Sequence, residues 1–273
     1  MYYQFNDGKL SSSDELIDER GLAYADGFFS TIGVYDGQIL WADFHAKRLL
    51  DGVTAFAYQL DILAVMTQLK QLAKQMGEGM IKIVITRQSQ AVRGYGFVDG
   101  QAKVLIKTMP STIYQNVVWQ DGIAIQPPSQ MLLLQNILSH RVPRLAGLKL
   151  IACPEQVLCH AELLARCGDT PCDGLIGNLD GEWICATMGN IFYRLQGKWH
   201  TPPVNRSGVA GVMRAVLMTR FAIGERVLTD DDLPQIEALF TTNAVRGMTP
   251  IDTLSLATTT KKLPILLPFD KNK

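Results

Sequence analysis

A glycine-containing stretch directly before a predicted helix is the first feature of this 273-residue chain that indicates a binding site. The stretch reads SGVAGVMR from Ser207 to Arg214, and apolar residues follow it at helical spacing. The first N–H groups of a helix have no partner within the helix, and the helix dipole adds partial positive charge, so this segment suits a phosphate. A glycine before a helix is also an ordinary turn, so a phosphate site needs independent support.

Two segments near the N-terminus supply that support through a resemblance. The sequence RGLAYADGFFSTIGV, from Arg20 to Val34, resembles the early motif of the fold-type IV pyridoxal-phosphate enzymes, the class IV aminotransferase family. The sequence HAKRL, from His45 to Leu49, has that family's His-x-x-Arg-Leu form. The resemblance implies that Arg48 reaches the cofactor phosphate, which a guanidinium fork matches well. The alternative is a solvated arginine on an amphipathic helix.

A lysine in the middle of the chain occupies the family's most informative position. Ala146-Gly147-Leu148-Lys149 precedes PEQVL, which starts at Pro154, and the pair is similar to the family's Gly-x-Lys segment and its Glu-Gln-Val-Leu helix. The resemblance implies that Lys149 is the Schiff-base lysine, which bonds the cofactor aldehyde and then moves the α-proton as base and acid. An ordinary surface lysine is the alternative.

Two further segments resemble the remainder of the family's cofactor site. Gly181 to Phe192 is similar to the Gly-x-x-x-Glu…Asn-x-Phe stretch, and Phe240 to Ala244 is similar to the strand and turn that complete the phosphate site. The matching segments run in order from residue 20 to residue 250. The resemblance implies that the backbone N–H groups of Val212 and Met213 and the side chain of Asn243 surround the phosphate of pyridoxal 5'-phosphate.

The chain departs from the family at three positions of this site. Counting back from Asn190, Cys185 stands where the family has the glutamate that faces the pyridine nitrogen. A thiol is only a weak hydrogen-bond partner, whereas a carboxylate keeps that nitrogen protonated. Ala152 replaces an asparagine and Gly33 replaces an arginine. The altered site indicates either a reaction that needs less electron storage or a cofactor-binding relative with little or no catalysis.

The segment Arg93-Gly94-Tyr95 resembles most closely the aminodeoxychorismate lyases of the family. The resemblance implies a lyase that converts 4-amino-4-deoxychorismate to 4-aminobenzoate and pyruvate in folate biosynthesis, with Arg93 and Tyr95 as substrate-binding residues. Its substrate has two carboxylates, so a second cation is expected, and the sequence does not locate it. Alternatively, Arg93 is an ordinary loop arginine and Tyr95 is a packed tyrosine. The alternative activity for the whole protein is that of a branched-chain or D-amino-acid aminotransferase.

The elements that position these residues form two segments in the sequence. Residues 1–112 predict a small N-terminal α+β domain, with a hairpin from Phe28 to Trp41, helices at 42–57 and 61–75, and strands at Met80–Thr86 and Val104–Thr108. Residues 113–273 predict a larger α+β domain that carries Lys149. It contains a hairpin from Val117 to Gln126, a helix from Pro154 to Cys167, strands that turn at Asp180-Gly181 and near Gly197, and a helix from Gly211 to Ile223. The fold class is therefore α+β, and the resemblance implies a two-domain fold-type IV architecture with mixed sheets flanked by helices.

Composition limits the kinds of partner. Hydrophobic residues make up 47% of the chain, which is enough for a sizeable core, and 26 basic residues balance 26 acidic ones. The charge balance argues against nucleic acid or an anionic membrane and favours a small-molecule substrate. No apolar run approaches the ~18 residues of a membrane span, so we expect a soluble, cytoplasmic protein. The resemblance implies a homodimer.

The five cysteines are odd in number and form no Cys-x-x-Cys pair. This pattern disfavours a disulfide framework and a structural zinc site. We therefore expect Cys153, Cys159, Cys167 and Cys172 to pack as small apolar residues in a reducing compartment.

Overall fold

A computed structural model describes residues 2–6, 9–13, 19–168, 170–256 and 258–270. These described residues form three sheets. The first is a two-stranded antiparallel hairpin of β1 (Tyr2–Asn6) and β2 (Lys9–Ser13). Within the described residues, no helix combines the length and the apolar character needed to span a membrane.

The second sheet has four antiparallel strands in the order β4-β3-β5-β6. Their bounds are Gly27–Tyr35 for β3, Gln38–Ile39 for β4, Gly79–Arg87 for β5 and Ala102–Pro110 for β6. Asp36 and Gly37 both adopt positive φ between β3 and β4, which is the backbone of a two-residue hairpin turn. The predicted hairpin and both predicted strands are confirmed.

Helices cover one face of this small sheet. The short α1 (Arg20–Tyr24) precedes β3, and α2 (Ala42–Phe56) and α3 (Ile62–Met76) agree with the predicted helices to within one residue at each end. Side chains alternate along the strands, so one face buries an apolar cluster against α2 and α3 that includes Phe28, Ile32, Leu49, Leu69, Ile81, Ile83 and Ile85. The opposite face, which we call the open face, carries Phe29 and Thr31 on β3, Lys82 and Val84 on β5, and Leu105 and Lys107 on β6.

The third sheet has eleven strands and mixes parallel with antiparallel pairs. Its strands are β7 (Val118–Gln120), β8 (Ile123–Ile125), β9 (Ser129–Leu133), β10 (Cys172–Gly177), β11 (Trp183–Ala186), β12 (Asn190–Leu195), β13 (Lys198–Thr201), β14 (Ile223–Glu225), β15 (Ala238–Asn243), β16 (Gly247–Ser255) and β17 (Thr260–Lys262). Because β15 pairs with both β12 and β16, six of the strands close into a ring around an apolar core. The predicted α+β class with mixed sheets is confirmed.

Two helices and two 3-10 turns accompany the large sheet. Helix α4 (Pro154–Cys167) has the predicted bounds, with proline at its first position where no N–H is needed. Helix α5 (Val212–Arg220) ends three residues earlier than predicted, because the chain becomes extended at Phe221 before β14. The 3-10 turns are Pro143–Leu145 and Asp230–Gln235. The predicted turns at Asp121-Gly122, Asp180-Gly181 and near Gly197 are confirmed. A domain boundary after residue 112 stays a prediction.

The expectation that the cysteines are unpaired is wrong for one pair. Cys167 ends α4, Cys172 begins β10, and the two side chains form a disulfide. The short connection between helix and strand brings their Cα atoms to 6.5 Å, which lies within disulfide geometry. Cys153, Cys159 and Cys185 are free. The sequence spacing alone carried no signal for this pairing.

Candidate active site

Backbone hydrogen bonds hold Lys149 between the small sheet and the entry to α5. On one side, the Phe29 N–H donates to the Lys149 carbonyl at 2.9 Å. On the other side, the Ala210 N–H donates to the Gly147 carbonyl at 2.8 Å, and Gly147 forms a parallel bridge with Val209. Gly147 has a φ of 75°, a conformation that favours glycine. The Gly-x-Lys segment therefore presents Lys149 beside the predicted phosphate site.

A cavity of about 590 Å³ opens at this point of the molecule. Its lining includes Arg48, Gly147, Lys149 and Ala210. Burial and the nearby charge of Arg48 together lower the pKa of Lys149 to about 8. The structure thus brings two predicted site residues, Arg48 and Lys149, together at one cavity, and it gives Lys149 a larger neutral fraction than an ordinary lysine has near neutral pH.

Arg48 extends from α2 to the loop before α5. Its Nη2 donates to the Ala210 carbonyl at 2.7 Å, and burial lowers the pKa of the guanidinium to about 10. One turn earlier, buried His45 has its Nδ1 at 3.0 Å from the Ser30 hydroxyl. Burial and the charge of Arg48 lower the pKa of His45 to about 3, so its imidazole is neutral. His45 therefore joins α2 to β3 without adding a second positive charge.

The N–H groups at the start of α5 form a cup at the place where the sequence predicts a phosphate site. Gly211 is the residue at which the helix begins, and the N–H groups of Val212 and Met213 follow in the first turn. A Cβ atom on Gly211 would contact the Asn190 Oδ1, so only glycine fits there. The Asn190 Nδ2 donates to the Val209 carbonyl at 2.8 Å and fixes the approach to the helix.

Two residues at the end of β15, Thr242 and Asn243, lie beside this cup. The Asn243 Oδ1 accepts from the N–H groups of Val245 and Arg246 at 3.0 and 2.7 Å, which leaves its Nδ2 as the group that can donate to a ligand. Thr242 pairs with Asn190 across β15 and β12, and its hydroxyl is buried without a hydrogen-bond partner among the described residues. A buried hydroxyl needs a partner, and a phosphate oxygen would supply one.

Cys185 lies on β11 opposite Asn190 of β12, the residue whose side chain contacts the approach to α5. Burial and the charge of Asp173 together raise the pKa of its thiol to about 12, so the thiol is neutral at physiological pH. Asp173, on the neighbouring β10, accepts hydrogen bonds from the backbone N–H groups of Gly174 and Thr187 and from the Thr187 hydroxyl. Its own pKa is raised by burial. Cys185 therefore cannot replace the charge of a glutamate.

The departure at Gly33 has a structural reason. A Cβ atom on Gly33 would contact the Tyr114 hydroxyl and lie 3.0 Å from the Ala244 carbonyl. Tyr114 is 3% exposed and its hydroxyl donates to the Val245 carbonyl at 2.6 Å. Tyr114, from the segment between the sheets, thus occupies the space where a side chain at position 33 would lie, and it holds the turn that follows Asn243.

The structure does not place Arg93 and Tyr95 in the lining of the Lys149 cavity of the same chain. Both lie in the exposed connection between β5 and β6, and Tyr95 is 86% exposed. Arg20 organises this loop: its Nη1 donates to the Gly96 carbonyl at 2.9 Å, and its Nε pairs with Asp26 at 2.8 Å. Substrate binding by Arg93 and Tyr95 stays a prediction.

Three residues beside the candidate site were missed by sequence reasoning. They are Tyr114, Asn190 and Thr242. Asn190 and Thr242 both lie within the segments that resemble the family, so their positions offered a signal. Tyr114 offered none, because its contacts exist only after distant segments of the chain come together.

The comparisons with known proteins agree with this geometry. The family model described as amino-transferase class IV matches residues 27–254, and the chain belongs to that family. An aminodeoxychorismate lyase from Vibrio harveyi is 27% identical over 246 residues, which cover 88% of this chain and 87% of that protein.

Solved structures of two kinds share the fold. A 4-amino-4-deoxychorismate lyase from Pseudomonas aeruginosa superposes with a TM-score of 0.79 at 27% identity, covering 94% of this chain and 92% of that one. A branched-chain aminotransferase from Thermoproteus uzoniensis superposes with a TM-score of 0.71 at 18% identity, covering 91% and 86%. The second likeness supports the fold alone.

Enzymes of this family use pyridoxal 5'-phosphate, and the residues of this chain fit that group. The helix start at Val212, the unpartnered Thr242 hydroxyl and the Arg48 guanidinium suit its phosphate. The amine of Lys149, with its lowered pKa, suits its aldehyde. At Cys185, which the sequence predicts to face the pyridine nitrogen, the chain offers a neutral thiol and no charge.

We predict that the apoprotein captures pyridoxal phosphate about tenfold faster at pH 9 than at pH 7, since the neutral fraction of an amine with a pKa near 8 rises by that factor. The rate is measured by stopped-flow absorbance. A free lysine derivative measured alongside corrects for titration of the cofactor itself. A rate that keeps rising steeply beyond pH 10 contradicts the lowered pKa.

We predict that Tyr114→Phe weakens cofactor binding about three- to tenfold, because it leaves the buried Val245 carbonyl without its donor, a loss of about 1 kcal/mol. Absorbance titration of the apoprotein gives the affinity. Tyr35→Phe is the matched control, since the Tyr35 ring packs against Tyr114 but is 39% exposed. Equal affinities for the two variants would remove the role of the Tyr114 hydroxyl.

Proposed function

We propose that this protein is a pyridoxal-phosphate-dependent lyase that converts 4-amino-4-deoxychorismate to 4-aminobenzoate and pyruvate, a step of folate biosynthesis. The observation that carries the proposal is a lysine of lowered pKa beside an anion-binding helix start, in a chain of the class IV family. The lyases from Vibrio harveyi and Pseudomonas aeruginosa support the choice of reaction, since each matches about nine-tenths of this chain.

In this proposal Lys149 has two roles. Its amine holds the cofactor in the resting enzyme, and after exchange for the substrate amine it removes the proton from the ring carbon that bears that amine. The carbon–oxygen bond at the neighbouring ring carbon then breaks, the ring becomes aromatic, and the released enolpyruvate takes up a proton to give pyruvate. The Lys149 amine finally displaces the amine of 4-aminobenzoate, which restores the resting enzyme. Pyridoxal phosphate supplies the aldehyde and the electron-accepting ring. A pKa near 8 suits an amine that both takes and returns a proton close to neutral pH.

The proposed anchoring residues separate the two ends of the cofactor. Arg48, the N–H groups of Val212 and Met213 and the Asn243 side chain hold its phosphate. Cys185 faces its ring nitrogen as a neutral thiol. An elimination that forms an aromatic ring gains part of its driving force from aromatisation, so it demands less of the ring nitrogen than transamination does. The neutral thiol therefore favours the lyase over the transaminase.

We further propose a cytoplasmic homodimer in which Arg93 and Tyr95 bind substrate. The exposed β5–β6 loop supports this arrangement, because it is held in shape by Arg20 and yet lies outside the cavity of its own chain. In such a dimer the loop of one subunit reaches the site of the other.

The neutral thiol also favours a second candidate, a relative that binds the cofactor with little or no catalysis. A cofactor ring whose nitrogen has no charged partner accepts electrons poorly. A reaction that depends on this electron acceptance would then be very slow. An aminotransferase for branched-chain or D-amino acids shares the scaffold but requires the electron storage that Cys185 does not support.

We predict that the cofactor-loaded protein releases pyruvate and 4-aminobenzoate in equal amounts from enzymatically generated aminodeoxychorismate, and that Lys149→Ala lowers the rate at least a thousandfold. Both products are followed in one coupled assay. Lys47→Ala, an exposed lysine on α2 paired with Asp51, is the matched control. Glutamate formed from 2-oxoglutarate and an amino acid would indicate the aminotransferase, and bound cofactor without either product would indicate the silent relative.

A further inference from the structure

Two lysines lie directly opposite each other on the open face of the small sheet. Lys82 of β5 and Lys107 of β6 are register partners, and both are exposed. Like charges placed opposite each other on neighbouring strands destabilise a sheet. Among the described residues, no carboxylate pairs with either lysine, although ion pairs occur elsewhere on the surface. The pair is thus an uncompensated concentration of positive charge.

The open face leads directly to the Lys149 amine. The ring of Phe29 has the Lys149 ammonium at 4.7 Å from its centroid and the Lys82 ammonium at 4.9 Å. The charge of Lys82 also contributes to lowering the pKa of Lys149. One aromatic ring therefore connects the proposed reaction centre with an unpaired cation.

The open face continues past Lys82 to the turn that follows Asn243. Thr31 is its register partner on β3, and Gly33, two residues further on, approaches the Ala244 carbonyl of the turn that follows Asn243. The open face thus passes from the Lys149 amine at Phe29 to that turn at Gly33. A ligand that is bound at Lys149 and extends along the open face would therefore come close to Lys82 beside Thr31.

We propose that Lys82, with Lys107 beside it, binds a carboxylate of the substrate whose amine reacts at the Lys149 site. The inference rests on the proposed function and supplies the second cation that a substrate with two carboxylates requires. An ammonium group on a flexible stem suits this role, because it follows a carboxylate as a point charge and does not demand bidentate geometry. The bound carboxylate also neutralises the repulsion between the two lysines.

Lys82 is on this account a substrate-binding residue, and Lys107 is an auxiliary one. The ammonium of Lys82 is the nearer to the reaction centre through Phe29, whereas Lys107 lies one strand further out. Loss of Lys82 should therefore raise KM much more than it lowers kcat. Loss of Lys107 should have the smaller effect in the same direction.

The test measures binding without turnover. Chorismate has the two carboxylates of the proposed substrate and a hydroxyl in place of its amine, so it enters the site without exchanging for Lys149. Calorimetric titration of the cofactor-loaded protein with chorismate should show about tenfold weaker binding for Lys82→Met, about twofold weaker binding for Lys107→Met, and near-wild-type binding for Lys82→Arg. Lys70→Met is the matched control, since Lys70 is an exposed lysine on α3, which covers the opposite face.

The possible results separate this inference from the proposed function. Unchanged affinity in Lys82→Met relative to Lys70→Met overturns the inference, and so does a wild-type protein that does not bind chorismate. If chorismate binding depends on Lys82 while no pyruvate is released from aminodeoxychorismate, the carboxylate site stands and the lyase assignment fails. Cofactor absorbance and thermal unfolding of each variant show that the site remains intact.

Discussion

The site depends on two backbone hydrogen bonds that hold the Lys149 loop from opposite sides. One comes from Phe29 of the small sheet, and the other comes from Ala210 at the entry to α5. Because backbone atoms make both bonds, the position of the lysine is fixed by the small sheet and the loop before α5 and not by its own side chain. The same two contacts decide what surrounds the amine: Phe29 on one side, and the cup of Gly211 and Arg48 on the other.

Electrostatics divide this site into a strongly positive part and a neutral part. Arg48, Lys149 and Lys82 are cations near the proposed phosphate and carboxylate positions, while His45 and Cys185 are neutral because burial disfavours their charged forms. The cations therefore attract the phosphate of the cofactor and a carboxylate of the substrate, whereas the ring nitrogen of the cofactor meets no charged side chain. This distribution suits the binding of an anionic substrate followed by an elimination that aromatisation assists.

Much of the architecture was predictable because its signals are local. The Asp36-Gly37 and Asp121-Gly122 turns, the proline at the start of α4 and the β-branched strand at Met80 each specify structure within a few residues. The end of α5 at Phe221 and the disulfide between Cys167 and Cys172 were not predicted, since both depend on how a connection packs in three dimensions.

The candidate site divides in the same way. Arg48 and Lys149 were predicted from motifs that follow one another along the chain in the order found in the family. The structure places both residues in the lining of one cavity. The Tyr114 hydroxyl fills the space that a side chain at position 33 would occupy. The two residues are 81 positions apart in the chain, so no local sequence pattern indicates this contact. The unpaired charge of Lys82 likewise has meaning only beside Phe29 and the Lys149 loop, which are brought together by pairing across distant segments.

The attachment point of the cofactor is the central claim, and borohydride reduction tests it most directly. Reduction of the cofactor-loaded protein fixes the bound cofactor to its lysine, and peptide mass spectrometry then locates it. The account predicts one reduced cofactor per chain, on the peptide that contains Lys149, with little on the exposed Lys47 or Lys70. Attachment at another lysine in a protein that still releases pyruvate and 4-aminobenzoate would contradict it.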